Sequence, residues 1–228
     1  MNLNYNVHYE VAATIFMGLL LIYMRLQYNV KIKINREFWR LALLIFAADI
    51  LDICTAVTID NSAFVPDAVN LFLNELYYAA IMLLGAQFVR YAIALTGEEP
   101  TKSGVMRVTW IASLVYTLVL ILNPFFGLFC KFVDGAYRHG PLYYMIFVWP
   151  YIFVLTATVV SVRRAPRLQD TGRKLLMIFY VVFSFAGSLL QLFVMPDILL
   201  SHFSVSLGIV FIMFLLETPD YQKLTAIL

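Results

Sequence analysis

Apolar residues along this chain gather in runs of about twenty, separated by short breaks that are charged or rich in turn-forming residues. A run of that length crosses the roughly 30 Å hydrocarbon core of a bilayer as an α-helix. The pattern predicts an all-α membrane protein, a seven-transmembrane helix bundle. The predicted helices span about residues 8–28, 38–59, 67–95, 107–128, 141–162, 173–195 and 199–217.

The break between the fourth and fifth predicted helices has a different pattern. It reads FCKFVDGAYRHGPLYY, with apolar and aromatic residues on both sides of Val133-Asp134-Gly135. Asp-Gly is a favoured dipeptide for a tight hairpin turn. We therefore predict a short β-hairpin that acts as a lid over the bundle.

Composition supports the membrane assignment. The chain of 228 residues is 62% hydrophobic and 13% charged, whereas a soluble domain carries roughly a quarter charged and under half apolar residues. The net charge of +2 is too small to predict nucleic acid as a partner. Two cysteines, Cys54 and Cys130, exclude a disulfide framework and a cysteine-based metal site, and we predict no bond between them.

The distribution of Lys and Arg predicts the orientation in the membrane. Of the sixteen, fourteen fall around the first, third and fifth breaks or in the tail, and only Lys131 and Arg138 fall in the fourth break. Positively charged residues accumulate in cytoplasmic loops. The N-terminus is therefore predicted outside the cell and the C-terminus in the cytoplasm.

Acidic residues inside the apolar runs are the main candidates for function. Asp49 and Asp52 share nearly one face of the second helix, and Glu75 lies at similar depth in the third. A charged side chain at mid-bilayer costs at least ~2.5–3.5 kcal/mol unless it is satisfied. No Lys or Arg occurs at matching depth, so these acids must be neutral, hydrated, hydrogen-bonded or paired with something from outside.

We expect these acids to line an outward-opening pocket in the outer half of the bundle, between the second, third, fifth, sixth and seventh helices. A small molecule, a cation or protons would enter it from outside. The predicted ligand-binding residues are Asp49, Asp52, Glu75, Asn74, Tyr78, Trp149, Tyr151, Ser188 and Gln191.

Simpler interpretations stay open for several of these residues. A buried acid can be neutral and bond a polar group on a neighbouring helix, as in a membrane scaffold. The stripe of Ser184, Ser188 and Gln191 is more typical of helix packing than of ligand contact. His139 and His202 are expected to be solvated loop residues, with pH sensing as the less favoured interpretation.

The sequence argues against several classes of membrane protein. The last predicted helix lacks the lysine of a retinal protein, and the predicted helices lack the histidines of an intramembrane metalloprotease. No nucleotide-binding motif is present. We predict no enzyme activity, no cofactor and no metal site. A small proton- or cation-coupled transporter is the alternative function, although matched broken helices in two repeats, typical of such folds, are not found.

Four segments carry a resemblance to a known family: NLNYNVHYE, NREFWRLALLIFAADILDICTA, NPFFGLF followed by DGAYRHGPLYY, and ETPDYQKL. In their order and spacing the chain resembles the N-terminal seven-helix sensor region of bacterial signalling proteins linked to histidine kinase, GGDEF or EAL domains. The resemblance implies a receptor in the bacterial inner membrane, with a ligand site in the outer half. It also implies a C-terminal helix that enters a dimeric coiled coil, and hence a homodimer.

The resemblance divides the chain into a sensor domain, residues 1–217, and the start of a cytoplasmic connector helix, residues 218–228. Pro219 and Asp220 suit the first turn of such a helix. A histidine kinase or diguanylate cyclase type of output domain is expected as partner, either on a separate chain or beyond a truncation. The predicted function is a membrane sensor that binds a small extracytoplasmic ligand or cation and signals through its C-terminal helix.

Overall fold

A computed structural model describes residues 5–27, 31–133, 135–164, 171–195 and 197–216 of the chain. The described part is mostly helical, as predicted. Its elements in chain order are α1 (His8–Gln27), α2 (Lys33–Asp60), α3 (Asp67–Leu95), a 3-10 turn (Pro100–Lys102), α4 (Gly104–Ile121), α5 (Asn123–Phe126), β1 (Cys130–Val133), β2 (Ala136–His139), α6 (Met145–Arg164), α7 (Thr171–Phe193) and α8 (Ser201–Leu216).

Each predicted helix corresponds to one long helix of the fold, since α5 is a single turn that follows the C-terminal end of α4. Among the described residues, five helices are long and apolar enough to cross a membrane: α1, α2, α3, α4 and α6. The apolar parts of α7 and α8 are shorter, at Met177–Phe193 and Ser201–Phe214. The count of seven spans and their orientation stay predictions. The connector predicted at residues 218–228 lies outside the described residues.

The predicted hairpin is confirmed. Strands β1 and β2 pair antiparallel, with Cys130 opposite His139 and Val133 opposite Ala136. Gly135, in the turn between them, has a φ of 75°. Residues other than glycine adopt this left-handed conformation at a cost, which explains the glycine at this position.

Helix α3 is the centre of the bundle and packs against both α2 and α6. Phe38 of α2 and Tyr91 of α3 are fully buried, with ring centroids 5.3 Å apart, and the buried ring of Phe88 lies 5.2 Å from that of Tyr180 on α7. On the other side, a Cβ atom at Gly85 would lie 3.2 Å from the backbone of Pro150 in α6. The absence of a side chain at Gly85 therefore lets the two helices approach closely.

The outer faces of the helices are apolar. On α1, Ile15, Leu19 and Ile22 are each more than half exposed, and on α4 so are Val108 and Ile111. Hydrocarbon is the environment in which such faces are stable without a protein partner. Together with the apolar helices, these faces identify a multi-pass membrane protein.

The end of the bundle that is predicted to be cytoplasmic holds a buried ion cluster. Glu37 of α2 is 1% exposed, and its Oε2 lies 2.9 Å from Arg90 Nε of α3. Arg40 Nη1 lies 3.1 Å from Glu37 Oε1, and Gln87 Nε2 donates a hydrogen bond to Oε2 at 3.0 Å. These contacts join α2 to α3 at this end.

Candidate functional site

Asp49 and Asp52 of α2 are both buried, with exposed fractions of 0% and 6%. Ser206 Oγ of α8 donates a hydrogen bond to Asp49 Oδ2 at 2.9 Å. His202 Nδ1, one turn earlier on α8, lies 3.4 Å from Asp49 Oδ1, which makes an ion pair when the imidazole is protonated. Asp49 therefore connects α2 to α8 in the interior of the bundle.

The position of His202 corrects the expectation of a solvated loop residue. This side chain is 6% exposed and lies in the first turn of α8. Gln191 of α7 explains where that helix begins, because its Oε1 accepts hydrogen bonds from the backbone N–H groups of Leu200 and Ser201, at 2.9 and 2.8 Å. This cap satisfies donors at the helix start, so His202 falls inside the helix and faces α2.

Glu10 is a member of the same cluster that the sequence analysis did not assign. It lies in the first turn of α1 and is fully buried. Neither of its carboxyl oxygens has a hydrogen-bond partner among the described residues. The carboxyl group is close enough to interact electrostatically with Asp52, Asp49 and His202. In the sequence, the acid at the start of an apolar run indicated a position of interest. A single polar residue does not indicate which side of the helix faces the bundle.

Beside Asp52 lies a cavity of about 210 Å³, between α2, α3, α6, α7 and the hairpin. Much of its wall consists of aromatic rings, and the hydroxyl of Tyr77 is close enough to Asp52 to interact with it. We call this space the tyrosine cavity. The aromatic and polar residues that line it are Tyr5, Asp52, Thr55, Asn74, Tyr77, Tyr78, Tyr137, His139, Tyr143, Phe147 and Gln191.

The hairpin covers part of the tyrosine cavity. Tyr137 of β2 lines the cavity. Its hydroxyl lies 2.8 Å from that of Tyr78 on α3, and this hydrogen bond joins the hairpin to α3. Burial raises the pKa of the Tyr137 phenol, so the hydroxyl stays protonated. His139 stacks on Tyr143, with ring centroids 3.6 Å apart. The predicted lid is thus part of the wall.

The structure brings some of the predicted site residues to the tyrosine cavity and places others nearby. Asp52, Asn74, Tyr78 and Gln191 line it. A second cavity of about 60 Å³ adjoins it and includes Tyr151, Ser188 and His202 in its lining. The two cavities share Tyr77. Within the second cavity, the Tyr151 hydroxyl bonds the backbone oxygen of Ser184 at 2.9 Å and contacts Ser188 Oγ.

Glu75 and Trp149 lie away from both cavities. Glu75 is half-buried and accepts a hydrogen bond at Oε1 from Asn123 Nδ2 of α5, at 3.0 Å. Trp149 packs towards Tyr116 of α4, with ring centroids 6.3 Å apart. Successive residues of a helix point about 100° apart, so Asn74 can face the cavity while Glu75 faces α5. The equal depth of Glu75 and Asp52 did not imply that they share a pocket.

The comparison with known families gives a match over residues 10–221, to the family described as the N-terminal 7TM region of histidine kinase. The chain belongs to this family. As a histidine-kinase 7TM region it is associated with a membrane and with a cytoplasmic kinase output domain, as the sequence resemblance predicted. Neither curated proteins nor solved structures give a match. The matched segment contains Glu10, Asp49, Asp52 and His202.

Within the described part of the chain, no group of three or more His, Cys, Asp and Glu side chains is arranged to hold a metal ion. Cys54 and Cys130 are both free thiols. Cys130 is fully buried in β1, and burial raises the pKa of its thiol to about 11. The chemistry of the site therefore rests on carboxyl groups, the imidazoles of His139 and His202, side-chain amides, hydroxyls and aromatic rings.

Proposed function

We propose that this 7TM region is a sensor module that binds a small extracytoplasmic ligand or cation in the tyrosine cavity and signals through α8 to a cytoplasmic output domain. In this proposal no reaction is catalysed within the region itself. The site comprises Asp52, Asn74, Tyr77, Tyr78 and Tyr137, with Asp49 and His202 behind it.

One observation carries the proposal: of two neighbouring acids on α2, one faces the tyrosine cavity and the other faces α8. Asp52 lines the cavity, whereas Asp49, one turn away, contacts His202 and Ser206 of α8. Asp52 and His202 are also close enough to interact electrostatically. A ligand at Asp52 would change the electrostatic environment of the contact that holds α8 against α2.

Signalling in this scheme is a shift between two packings of the bundle. A ligand moves such an equilibrium only by its difference in affinity for the two states. If the ligand neutralises Asp52, His202 is left to pair with Asp49 alone. The position of α8 relative to α2 would then differ between the empty and the occupied site, and α8 is the last helix before the C-terminal segment.

The test is the autophosphorylation of the histidine kinase that works with this region, assayed in membrane vesicles. Asp49→Asn removes the charge that faces α8, and we expect it to change basal kinase activity by about 5-fold or more, the range of ordinary coupling energies. Glu75→Gln is the matched control, because it neutralises an acid of the same bundle that contacts Asn123 instead. Equal activity in the wild type and in both variants, at equal protein levels, would count against the proposal.

The transporter alternative has one observation in its favour. Titratable side chains continue from the tyrosine cavity through Asp52 to His202, which lines the second cavity. A carrier built on this path would move protons or cations across the membrane, whereas a sensor would not. Purified chain in liposomes that enclose a pH-sensitive dye, and separately a K⁺- or Na⁺-sensitive dye, distinguishes the two. Flux that Asp52→Asn abolishes would establish transport.

A further inference from the structure

Resting on the sensor function proposed above, we infer that the ligand of the tyrosine cavity is a small organic cation, an alkylammonium or a quaternary ammonium ion. Three properties of the described residues support this class: the excess of acidic over basic side chains, the aromatic wall and the acceptor oxygens beside Asp52.

Charge is the first property. Glu10, Asp49 and Asp52 interact electrostatically with one another, and His202 is the cationic partner that the described residues offer them. Lys and Arg are absent from the described lining of the cavity. Three carboxyl groups surround one imidazole, so if all of them were ionised the cluster would carry an excess of negative charge even with His202 protonated. A cation would offset this excess, whereas an anion would add to it.

Asp52 provides the point of contact. It is 6% exposed, it lines the cavity, and its Oδ2 has no hydrogen-bond partner among the described residues. A buried carboxylate oxygen without a donor loses its hydration and receives nothing in return. The N–H groups of an alkylammonium ion, or the positive face of a quaternary one, would supply the missing interaction.

The aromatic wall is the second property. Rings of Tyr5, Tyr77, Tyr78, Tyr137 and Tyr143 line one small space. The face of an aromatic ring attracts a cation within about 6 Å of its centroid, and several rings around one site recognise ammonium groups in particular. A bare metal ion is bound by oxygen or nitrogen atoms at about 2.0–2.6 Å and makes no use of such a wall.

Hydrogen-bond directions are the third property. One N–H of Asn74 Nδ2 donates to the backbone oxygen of Asn70 at 2.8 Å, and the carbonyl oxygen of the same side chain is an acceptor. Thr55 Oγ1 donates to the backbone oxygen of Asp52 at 2.9 Å, which leaves its lone pairs. Carboxylate, carbonyl and hydroxyl oxygens next to Asp52 are thus acceptors that an ammonium donor fits.

The volume limits the size of the ion. The tyrosine cavity has a volume of about 210 Å³. Pockets for drug-sized ligands span about 300–1,000 Å³. The cavity lies below this range, so a small cation fits it best.

The experiment is isothermal titration calorimetry on the purified chain in nanodiscs, with pairs of probes that share a shape and differ in charge. Choline is compared with 3,3-dimethylbutan-1-ol, and propylammonium with propan-1-ol. We expect at least one cation to bind about 10-fold or more tightly than its neutral counterpart. We expect Asp52→Asn to weaken the binding of that cation by a similar factor. We expect Glu75→Gln to leave its affinity unchanged.

A second pair of variants keeps the test valid if Asp52→Asn fails to fold. Tyr77→Phe keeps the ring and should retain most of the affinity for the cation, whereas Tyr77→Leu removes the ring and should lose it. Neutral probes that bind as tightly as cations, or a failure of every cation to bind folded protein, would overturn the inference. The kinase assay of Asp49→Asn decides the sensor function separately, because it requires no ligand.

Discussion

Helix α2 carries two buried acidic sites that differ in how their charge is satisfied. Near its start, Glu37 lies within 4 Å of Arg36, Arg40 and Arg90. About three to four turns later, Asp49 and Asp52 have His202 and Ser206 as neighbours on α8. Both sites are almost completely buried. At the first site the chain supplies the counter-ions itself. At the second, Oδ2 of Asp52 lies beside a cavity without a hydrogen-bond partner in the part of the chain that the structure describes.

The difference separates two uses of a buried charge. A carboxylate that is paired within the protein resists removal of one partner, because the other partners are then left in an apolar environment. A carboxylate without a full set of partners destabilises the fold, but it can bind a ligand. Functional sites often carry such a stability cost. The predictions below test this contrast.

The largest expected effect is at the paired site. Glu37→Ala should destabilise the chain by about 3 kcal/mol, at the low end of the range for breaking a buried ion pair, because the arginines are partly exposed. Thermal unfolding in detergent measures it. Glu99→Gln removes an exposed ion pair with Lys33 and should leave the melting temperature unchanged. Equal shifts for the two variants would contradict the contrast.

At the unpaired site, Asp52, removal of the charge should change the stability in the opposite direction. Asp52→Asn removes a charge whose Oδ2 has no partner among the described residues, so stability should stay the same or rise by about 1 kcal/mol. The same unfolding assay measures it, with Asp49→Asn beside it. Asp49→Asn should be less favourable, since it weakens the contacts to Ser206 and His202. A large loss of stability in Asp52→Asn would show that the aspartate is a structural residue.

Gln191 offers a smaller effect that separates two roles. It lines the tyrosine cavity, but its Oε1 caps the start of α8. Gln191→Ala should cost about 1 kcal/mol, as for other lost helix caps. Gln191→Glu keeps the acceptor oxygens and should retain most of that stability. If both variants are as stable as the wild type, the cap contributes nothing and a ligand-contact role is favoured.

The smallest effect concerns the hairpin. The pKa of about 11 at Cys130 means that only about one thiol in a thousand is ionised at pH 8, so it should react slowly with iodoacetamide. The rate should increase roughly tenfold per pH unit up to that pKa. Mass spectrometry measures labelling at Cys130 against Cys54. Asn123 Oδ1 accepts hydrogen bonds from the N–H groups of Phe129 and Cys130 at 2.7 and 3.2 Å, so Asn123→Ala should expose the thiol and speed labelling. This gain in access should outweigh the loss of the Asn123 contact that lowers the pKa of Cys130.

Features that depend on local pattern could be predicted from the sequence. The long apolar runs gave the helices and Asp134-Gly135 gave the hairpin, because both follow from periodicity and turn chemistry within a few residues. The grouping of Asp52, Asn74, Tyr78 and Gln191 around one cavity also followed from depth and polarity.

Rotation about a helix axis could not be predicted. Helix α3 is apolar on most of its surface and has no clear amphipathic face, so nothing indicated that Asn74 and Glu75 point to different neighbours. Glu10 and His202 were missed for a related reason. Each is a single polar residue near the end of an apolar run, and its side chain could equally face solvent or the bundle until tertiary packing decides.

The cap on α8 has a mechanical consequence. Because Gln191 holds the first residues of the 16-residue helix, that end can serve as a pivot. At 1.5 Å per residue the helix is about 24 Å long, so a tilt of about 5° about the cap displaces its far end by about 2 Å. Asp49 acts on α8 through His202, which is next to the pivot, and through Ser206, which is about one and a half turns from it. A sub-ångström displacement of α8 at the buried carboxylates would therefore become a displacement several-fold larger at the far end of the helix.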